Sequence, residues 1–252
     1  TGVNQMDYGG KAGEQLVETM NNTYGKDHQH RVLEIMMDQD NSNAVLRHRS
    51  FNDAIGNHDN AEIVKQIEID GYSADTVASK ATTYLEQDSD IHGVFAPWTG
   101  GPIGVLRAFE RHDMKKKRGQ DGHVPIVSLD ANAAIIDNLK QGYIDYVPDQ
   151  PVPFYVPLDI HYMTEYLDND EDESVLPEPG SRVTTDDLTI SGGTHLDANP
   201  WKEPLWSPAD IRSFVSFNDE ELGFPFLTTA IPVVGKDQAD APYLWGNLTR
   251  KI

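Results

Sequence analysis

The chain has 252 residues, 38% of them hydrophobic and 9% aromatic, which is enough for the packed core of one large domain or two small ones. Lys and Arg number 20 against 41 Asp and Glu, so the net charge is −21, and a field of that sign argues against a nucleic-acid partner. The chain has no Cys, which excludes disulfides and thiolate metal sites.

Apolar spacing predicts helices and strands that alternate along the first 150 residues. Helices are predicted at 9–24, 43–58, 73–87, 102–112 and 131–141. Strands are predicted at 31–37, 62–69, 91–97, 123–130 and 143–148. Because single helices separate successive strands, the fold class predicted is α/β, with a doubly wound parallel sheet that carries helices on both faces.

After Pro151 the alternation ends. A helix is predicted at 154–167, and acidic, Pro-rich loops follow it. The acidic run "DNDEDE" at 168–173 is typical of a solvated loop, and the acidic composition also suits adaptation to high salt. The tail from 187 contains a predicted strand at 226–234 and three of the four Trp, namely Trp201, Trp206 and Trp245.

Arg47 is the most informative residue of helix 43–58. On a helix it falls on the same stripe as Ala44, Phe51 and Ala54, the face that should be buried. Ligands of open parallel sheets bind beyond the carboxyl ends of the strands, where the following helices begin. Arg47 lies about one turn into such a helix, so we expect its guanidinium to face a ligand.

Other strand ends supply further candidates for the same sheet edge: Asn43, Trp98, Asp130, Asp149 and Gln150. Carboxylates accept hydrogen bonds from hydroxyls, Arg donates to hydroxyl and ring oxygens, and an indole packs against the C–H face of a sugar ring. Together they suit a neutral, polyhydroxylated ligand.

Each candidate also has a structural alternative. For Arg47 it is an ion pair with a nearby carboxylate, namely Asp38, Asp40 or Glu34. Trp98 is also suited to the core, and Asp130 or Asn43 to an N-cap. Asp149 and Gln150 are also typical turn residues before a proline.

Other chemistries are poorly supported. The segment "DYGGKAG" lacks the terminal Lys-Ser/Thr pair of a phosphate-binding loop, and the chain has neither GxGxxG nor HExxH. The nine His have no convincing metal-ligand spacing, so we predict no metal and no cofactor. An enzyme that uses Asp130 with a nearby His is the weakest hypothesis, because no nucleophile with an activating base is evident.

Four segments resemble the ribose-type periplasmic sugar-binding proteins in order and spacing. They are "GVNQMDYGGKAGEQL", "NSNAVLRHRSF", "GVFAPWTGGPIGVLRAF" and "VPIVSLDANAAIIDNLKQGYIDYVPDQP". The resemblance covers about 2–167, and Asn-Ala-x-x-Arg-x-x-x-Phe is its most specific piece. It implies the periplasmic binding protein type 1 fold and sugar contacts for Arg47 and Asp130.

The sequence departs from the family pattern at three places. Trp98 stands where a ligand-contacting Asn is usual, Asp149 stands where Gln is usual with Gln150 one residue later, and Asn4 stands in place of an Asp. The resemblance therefore does not specify the sugar.

The resemblance also implies a domain organisation. Residues 1–150 are expected to form the C-terminal lobe of a two-lobe protein, and 151–186 a crossover helix and linker that belong with an absent N-terminal lobe. Residues 187–252 are expected to form a C-terminal strand and a Trp-rich extension. Without that lobe, the helix at 154–167 should expose an apolar patch. Its members would be Tyr155, Leu158, Tyr162, Met163 and Tyr166.

The function implied is that of an extracytoplasmic solute-binding protein, not an enzyme. It would capture a monosaccharide or similar polyol between its lobes and deliver it to the membrane permease of an ABC importer. We expect a periplasmic or extracellular location, reached through an upstream signal or a tether outside this sequence. The alternative is the sugar-sensing effector domain of a transcriptional repressor, against which the charge of −21 argues.

Overall fold

The computed structural model describes residues 1–188, 206–215 and 218–249, so the expected Trp201 of the tail lies outside the described residues. The chain forms two compact units. The larger unit comprises Gln5–Asp149 and Val233–Ala239. The smaller unit comprises Thr1–Asn4, Gln150–Pro232 and Asp240–Ile252.

Helices and strands alternate through the larger unit, as expected. Its elements are α1 Gln5–Tyr24, β1 His30–Met36, α2 Ser42–Gly56, β2 Ala61–Glu68, α3 Ala74–Leu85, β3 Gly93–Ala96, α4 Gly100–Arg111, β4 Ile126–Ser128, α5 Ala133–Gln141 and β5 Val147–Pro148. The later elements are α6 Val152–Asp168, β6 Arg182–Val183, β7 Ala209–Val215, β8 Glu221–Thr228, β9 Val233–Val234 and α7 Trp245–Thr249.

The central sheet of the larger unit has the order β2-β1-β3-β4, and all its pairings are parallel. The chain moves outward from β1 to β2 and then crosses back to β3 and β4. Since parallel crossovers are right-handed, this reversal places α2 on one face and α3 and α4 on the other. The prediction of a doubly wound parallel α/β fold is confirmed.

Helices α1 and α2 pack at backbone distance, which fixes the position of Arg47. A Cβ added to Gly9 would lie 2.4 Å from the Arg47 carbonyl oxygen. A Cβ added to Gly13 would lie 2.6 Å from the Ala54 Cβ. Contacts this short exclude any larger side chain unless the helices separate. The two glycines, four residues apart, therefore form the contact face of α1.

The core of the larger unit lies between these helices and the sheet. Phe51 from α2 stacks on Phe95 from β3, with the ring centroids 4.1 Å apart. The buried residues of α2 lie along the predicted stripe, and Arg47 is buried in the middle of that stripe. The placement of a charge on the buried face is therefore confirmed.

The smaller unit contains an antiparallel sheet of order β6-β7-β8. Its core is formed by Phe154, Leu158, Val183, Trp206, Ala209, Ile211, Leu227 and Leu248. The prediction of one strand at 226–234 is wrong, because β8 ends at Thr228 and pairs with β7, whereas β9 pairs with β5 in the larger unit. Residues 226–234 are mostly apolar, but their two ends pair with strands of different units and therefore form two separate strands.

The predicted apolar patch on α6 is wrong in its membership. Leu158 is fully buried in the core of the smaller unit, and Tyr162 packs against that core. The exposed apolar side chains are instead Val156, Ile160, Met163 and Leu167. Met163 belongs to both sets: it is predicted for the patch, and its side chain is more than half exposed. The β6-β7-β8 sheet covers the other face.

Candidate functional site

The carboxyl edge of the parallel sheet brings together the candidates that the sequence places there. β3 ends at Ala96 and leads into Trp98, β4 ends at Ser128 and leads to Asp130, and β5 is followed by Asp149. Parallel strands end at the same edge, so loops that are distant in sequence become neighbours in space. Arg47 reaches the same edge from α2.

Arg47 is almost completely buried, with 5% of its surface exposed, and both its Nε and its Nη1 have partners. Nε donates to Gln5 Oε1 at 2.7 Å, and Nη1 donates to the Pro97 carbonyl at 2.9 Å. Nη1 also lies 3.6 Å from Asp130 Oδ2. The Arg47 guanidinium carbon lies 5.1 Å from the centre of the Tyr8 ring, within cation–π range.

The alternative ion pair of Arg47 with Asp38, Asp40 or Glu34 is wrong. Its carboxylate partner is Asp130. Glu34 instead accepts hydrogen bonds from Asn52 and Gln66, both at 3.0 Å, and lies 2.9 Å from His48 Nδ1. That carboxylate raises the pKa of His48.

Asp130 adopts a left-handed backbone conformation, with φ of +66°. Its N–H donates to the Tyr8 hydroxyl oxygen at 2.9 Å, and its Oδ1 accepts from that hydroxyl at 3.0 Å. About 15% of its side chain is exposed, so the carboxylate is sheltered but reaches solvent. The alternative N-cap role is wrong, because Asn132 caps α5 by accepting from the N–H groups of Ala134 and Ile135.

Asp149 is buried, and its Oδ1 accepts from the Ala131 N–H at 2.9 Å. This bond joins the loops that follow β4 and β5 at the candidate edge. Gln150 belongs to the smaller unit, where its Oε1 accepts from the Tyr155 hydroxyl at 3.1 Å.

Trp98 is 5% exposed, and its Nε1 donates to the Tyr72 carbonyl at 3.2 Å. Gly100 permits this bond, since a Cβ there would lie 2.4 Å from the Tyr72 carbonyl oxygen. Asn43 is exposed in the first turn of α2. The N-cap alternative for Asn43 is wrong, because Asn41 caps α2 and accepts from the Asn43 N–H.

Two residues of the site were missed by sequence reasoning, Tyr8 and Gln5. The predicted helix began at residue 9, whereas α1 begins at Gln5. Tyr8 is four residues before Ala12 and shares its buried stripe, which is the signal that could have extended the helix. Burial raises the pKa of Tyr8 well above its usual range, and the charges of Asp130 and Asp149 add to the increase. Its hydroxyl therefore keeps its proton.

Two surface depressions lie away from this site, with volumes of about 320 Å³ and 490 Å³. Glu14, Asn21 and His58 line the first, and Arg118 and Asp145 line the second. Neither is lined by Arg47, Asp130 or Trp98. The candidate site is therefore defined by its converging polar groups and not by these depressions.

Within residues 1–188, 206–215 and 218–249, no three His, Asp or Glu side chains are placed to hold a metal ion. Across the same described ranges, every helix is too short or too polar to cross a lipid bilayer.

The chain belongs to a family of extracytoplasmic binding proteins. A family model described as "periplasmic binding protein domain" matches residues 1–169. This confirms the resemblance to the periplasmic binding proteins, a family of binding proteins and not of enzymes. Curated protein sequences give no match.

Three solved structures share the fold of this chain. AraP, an arabinose-binding protein from Geobacillus stearothermophilus, is 19% identical over 95% of this chain and 63% of its own, with a TM-score of 0.60. A sugar-binding protein of a sugar ABC transporter from Bacillus halodurans is 17% identical over 95% of this chain and 64% of its own, with a TM-score of 0.61. A periplasmic solute-binding protein of an ABC transporter from Actinobacillus succinogenes, with bound D-allose, is 17% identical over 94% of this chain and 62% of its own, with a TM-score of 0.63.

These likenesses confirm the periplasmic binding protein type 1 fold. The chain spans somewhat less than two thirds of the length of these three structures.

Proposed function

We propose that this chain is the ligand-binding part of an extracytoplasmic solute-binding protein that captures a monosaccharide or similar polyol and catalyses no reaction. Its partner would be the membrane permease of an ABC importer. We assign ligand binding to residues 1–150, at the carboxyl edge of the parallel sheet. The names of the three similar structures, which refer to arabinose, sugar transport and D-allose, support this class of ligand.

One observation carries the proposal: a buried guanidinium and a partly exposed carboxylate lie side by side at the edge where such folds bind ligands. Arg47 Nη1 and Asp130 Oδ2 are 3.6 Å apart. A hydroxyl group both donates and accepts hydrogen bonds, so adjacent hydroxyls of a sugar complement this pair. The pair is neutral overall, which favours an uncharged polyol over an anion.

The remaining candidates are proposed for supporting roles in the same site. Trp98 would offer its indole to the C–H face of the sugar, and Asn43 its exposed amide. Asp149 would act mainly by fixing the loop that carries Ala131. We retain Gln150 as a candidate from the family pattern.

The proposal is tested by calorimetric titration of the 252-residue chain with L-arabinose, D-allose, D-ribose and myo-inositol. We expect at least one of them to bind. Arg47→Ala should then lower the affinity about 10- to 100-fold, because it removes charge-assisted hydrogen bonds to the ligand.

Arg111→Ala is the matched control, since Arg111 is exposed at the end of α4 and contacts Thr82. Circular dichroism establishes that both variants fold. Binding of a panel sugar with equal affinity by the wild type and Arg47→Ala would contradict the assignment of the site. No heat with any panel member would contradict sugar binding itself.

A further inference from the structure

The Tyr8 side chain contacts both charged groups of the candidate site, the Arg47 guanidinium and the Asp130 carboxylate. Tyr8 lies in the first turns of α1 and is fully buried. Its ring lies 5.1 Å from the Arg47 guanidinium carbon. Its hydroxyl lies 3.0 Å from Asp130 Oδ1, 3.0 Å from the Pro148 carbonyl oxygen and 2.9 Å from the Asp130 nitrogen. One phenol therefore connects the loop that follows β4 with the end of β5.

The Asp130 backbone needs such support. A non-glycine residue in the left-handed region costs about 1–2 kcal/mol, although Asp tolerates it better than most residues. Such a conformation persists where the surroundings determine it. Around Asp130 these contacts include the Tyr8 hydroxyl, the Pro148 carbonyl at 3.3 Å from its nitrogen, and the Asn132 N–H, which donates to its carbonyl at 2.7 Å.

The Tyr8 hydroxyl bonds both the backbone and the side chain of Asp130. It accepts from the Asp130 N–H, which holds the peptide plane. It donates its single proton toward Asp130 Oδ1 or the Pro148 carbonyl, which holds the carboxylate relative to β5. The ring beneath Arg47 limits where the guanidinium can lie.

We infer that Tyr8 is a positioning residue of the sugar site, which fixes the orientation of the Asp130 carboxylate beside Arg47 without contacting the ligand. This inference rests on the proposed function. It gives a role to a residue of α1, whereas the proposed ligand contacts follow strands or belong to α2, and it explains why Asp130 can hold a left-handed conformation.

The first test needs no ligand. Tyr8→Phe keeps the ring and removes the hydroxyl, and amide hydrogen exchange of the intact chain is followed by NMR. We expect exchange of the Asp130 amide to rise about tenfold, the effect of losing one hydrogen bond. Exchange of the Ala131 amide, which donates to Asp149 Oδ1, should not change.

Tyr24→Phe is the matched control for that experiment. Tyr24 is the last residue of α1, and its hydroxyl donates to the His123 carbonyl at 2.8 Å. The control removes the same atom from the other end of the same helix. It should leave exchange at Asp130 unchanged. If Tyr8→Phe does not fold, the substitution is repeated in an Asp130→Gly background, where glycine adopts the same backbone conformation at little cost.

The second test is a double-mutant cycle with the panel sugar that binds the wild type. Tyr8→Phe and Asp130→Asn should each lower the affinity about tenfold or more. Tyr8→Phe should have almost no further effect when Asp130→Asn is already present, because it acts through that carboxylate. A merely structural role of Tyr8 would give additive losses.

The outcomes separate this inference from the proposed function. Unchanged exchange at Asp130, or additive losses in the cycle, would overturn the positioning role even if sugar binds. A wild-type chain that binds no panel sugar overturns the proposed function. The exchange data then decide by themselves whether Tyr8 positions Asp130.

Discussion

At the scale of single residues, two largely buried aspartates form ion pairs with arginines at opposite ends of the strands of one sheet. At the carboxyl edge, Asp130 lies beside Arg47 and keeps about 15% of its side chain exposed. At the amino edge, Asp145 is fully buried and accepts from the Ile126 N–H and from Arg118 Nε at 2.8 and 2.9 Å. The Asp130 carboxylate therefore reaches solvent, whereas the Asp145 carboxylate does not.

The Asp145 cluster predicts a loss of stability when its charge is removed. Its carboxylate also lies 3.1 Å from His123 Nε2. Asp145→Asn would leave Arg118, whose side chain is 35% exposed, without its carboxylate and would weaken the bonds to buried His123 and the Ile126 N–H, so we expect a loss of about 1–3 kcal/mol. Urea unfolding should show this decrease in the free energy of unfolding.

The control for this prediction is Asp113→Asn. Asp113 is 97% exposed and pairs with Lys116 on the surface. Such pairs contribute little in water, so we expect no measurable loss. Equal losses in the two variants would show that Asp145 has no special structural role.

At the scale of elements, the packing of α1 on α2 determines where the site residues lie. Gly9 touches the Arg47 carbonyl, so the backbone of the helix that carries Arg47 is in contact with the helix that carries Tyr8. The neighbouring Gly10 has room for a methyl group, since a Cβ there would lie at an ordinary contact distance of 4.0 Å from the Ser50 carbonyl oxygen. Two adjacent glycines therefore have different roles.

Alanine substitution should distinguish these glycines. Gly10→Ala should raise the free energy of unfolding by up to about 1 kcal/mol, because alanine favours the helix more than glycine does. Gly9→Ala should lower it by about 1–3 kcal/mol, because the added methyl group forces the two helices apart. Thermal unfolding measures both effects, and a stabilised Gly9→Ala variant would contradict the contact.

At the scale of the whole molecule, net charge and the burial of histidines bear on how the free energy of unfolding depends on pH. The net charge is −21, and the adaptation to high salt that it suggests stays a prediction. His28, His30 and His92 cluster at the amino edge, with His28 Nε2 and His92 Nε2 3.1 Å apart. Burial lowers the pKa of His30 to about 4, with a further contribution from the other two rings.

The lowered pKa of His30 predicts a loss of stability in mild acid. Between pH 6.5 and about 4 the unfolded chain binds a proton at His30 that the folded chain does not. The free energy of unfolding should therefore decline by about 3 kcal/mol as the pH falls through this window, with the full contribution present above it. His30→Gln should remove this part of the pH dependence, as measured by urea unfolding from pH 4 to 8.

His58→Gln serves as the control for the histidine prediction, since His58 is partly exposed and pairs with Glu14. It should keep the pH dependence of the wild type. A wild-type curve that His30→Gln leaves unaltered would show that acid destabilisation arises from other groups.

Local patterns were sufficient to predict most of the larger unit. The alternation of strands and helices, the buried stripe of α2 and the residues at the strand ends follow from side-chain periodicity, which the neighbouring residues determine. The location of Arg47 and Asp130 at one edge follows from the parallel arrangement, since parallel strands end together.

What the sequence determined by itself was the fold class, the burial of Arg47 and the meeting of Arg47 with Asp130. Only the tertiary structure decided that Tyr8 supports Asp130, that Leu158 is covered by a sheet, and that the run 226–234 divides between two units. These features depend on contacts between residues as far as 122 positions apart along the chain. Neighbouring residues carry no record of such distant partners, so no local pattern could have predicted them.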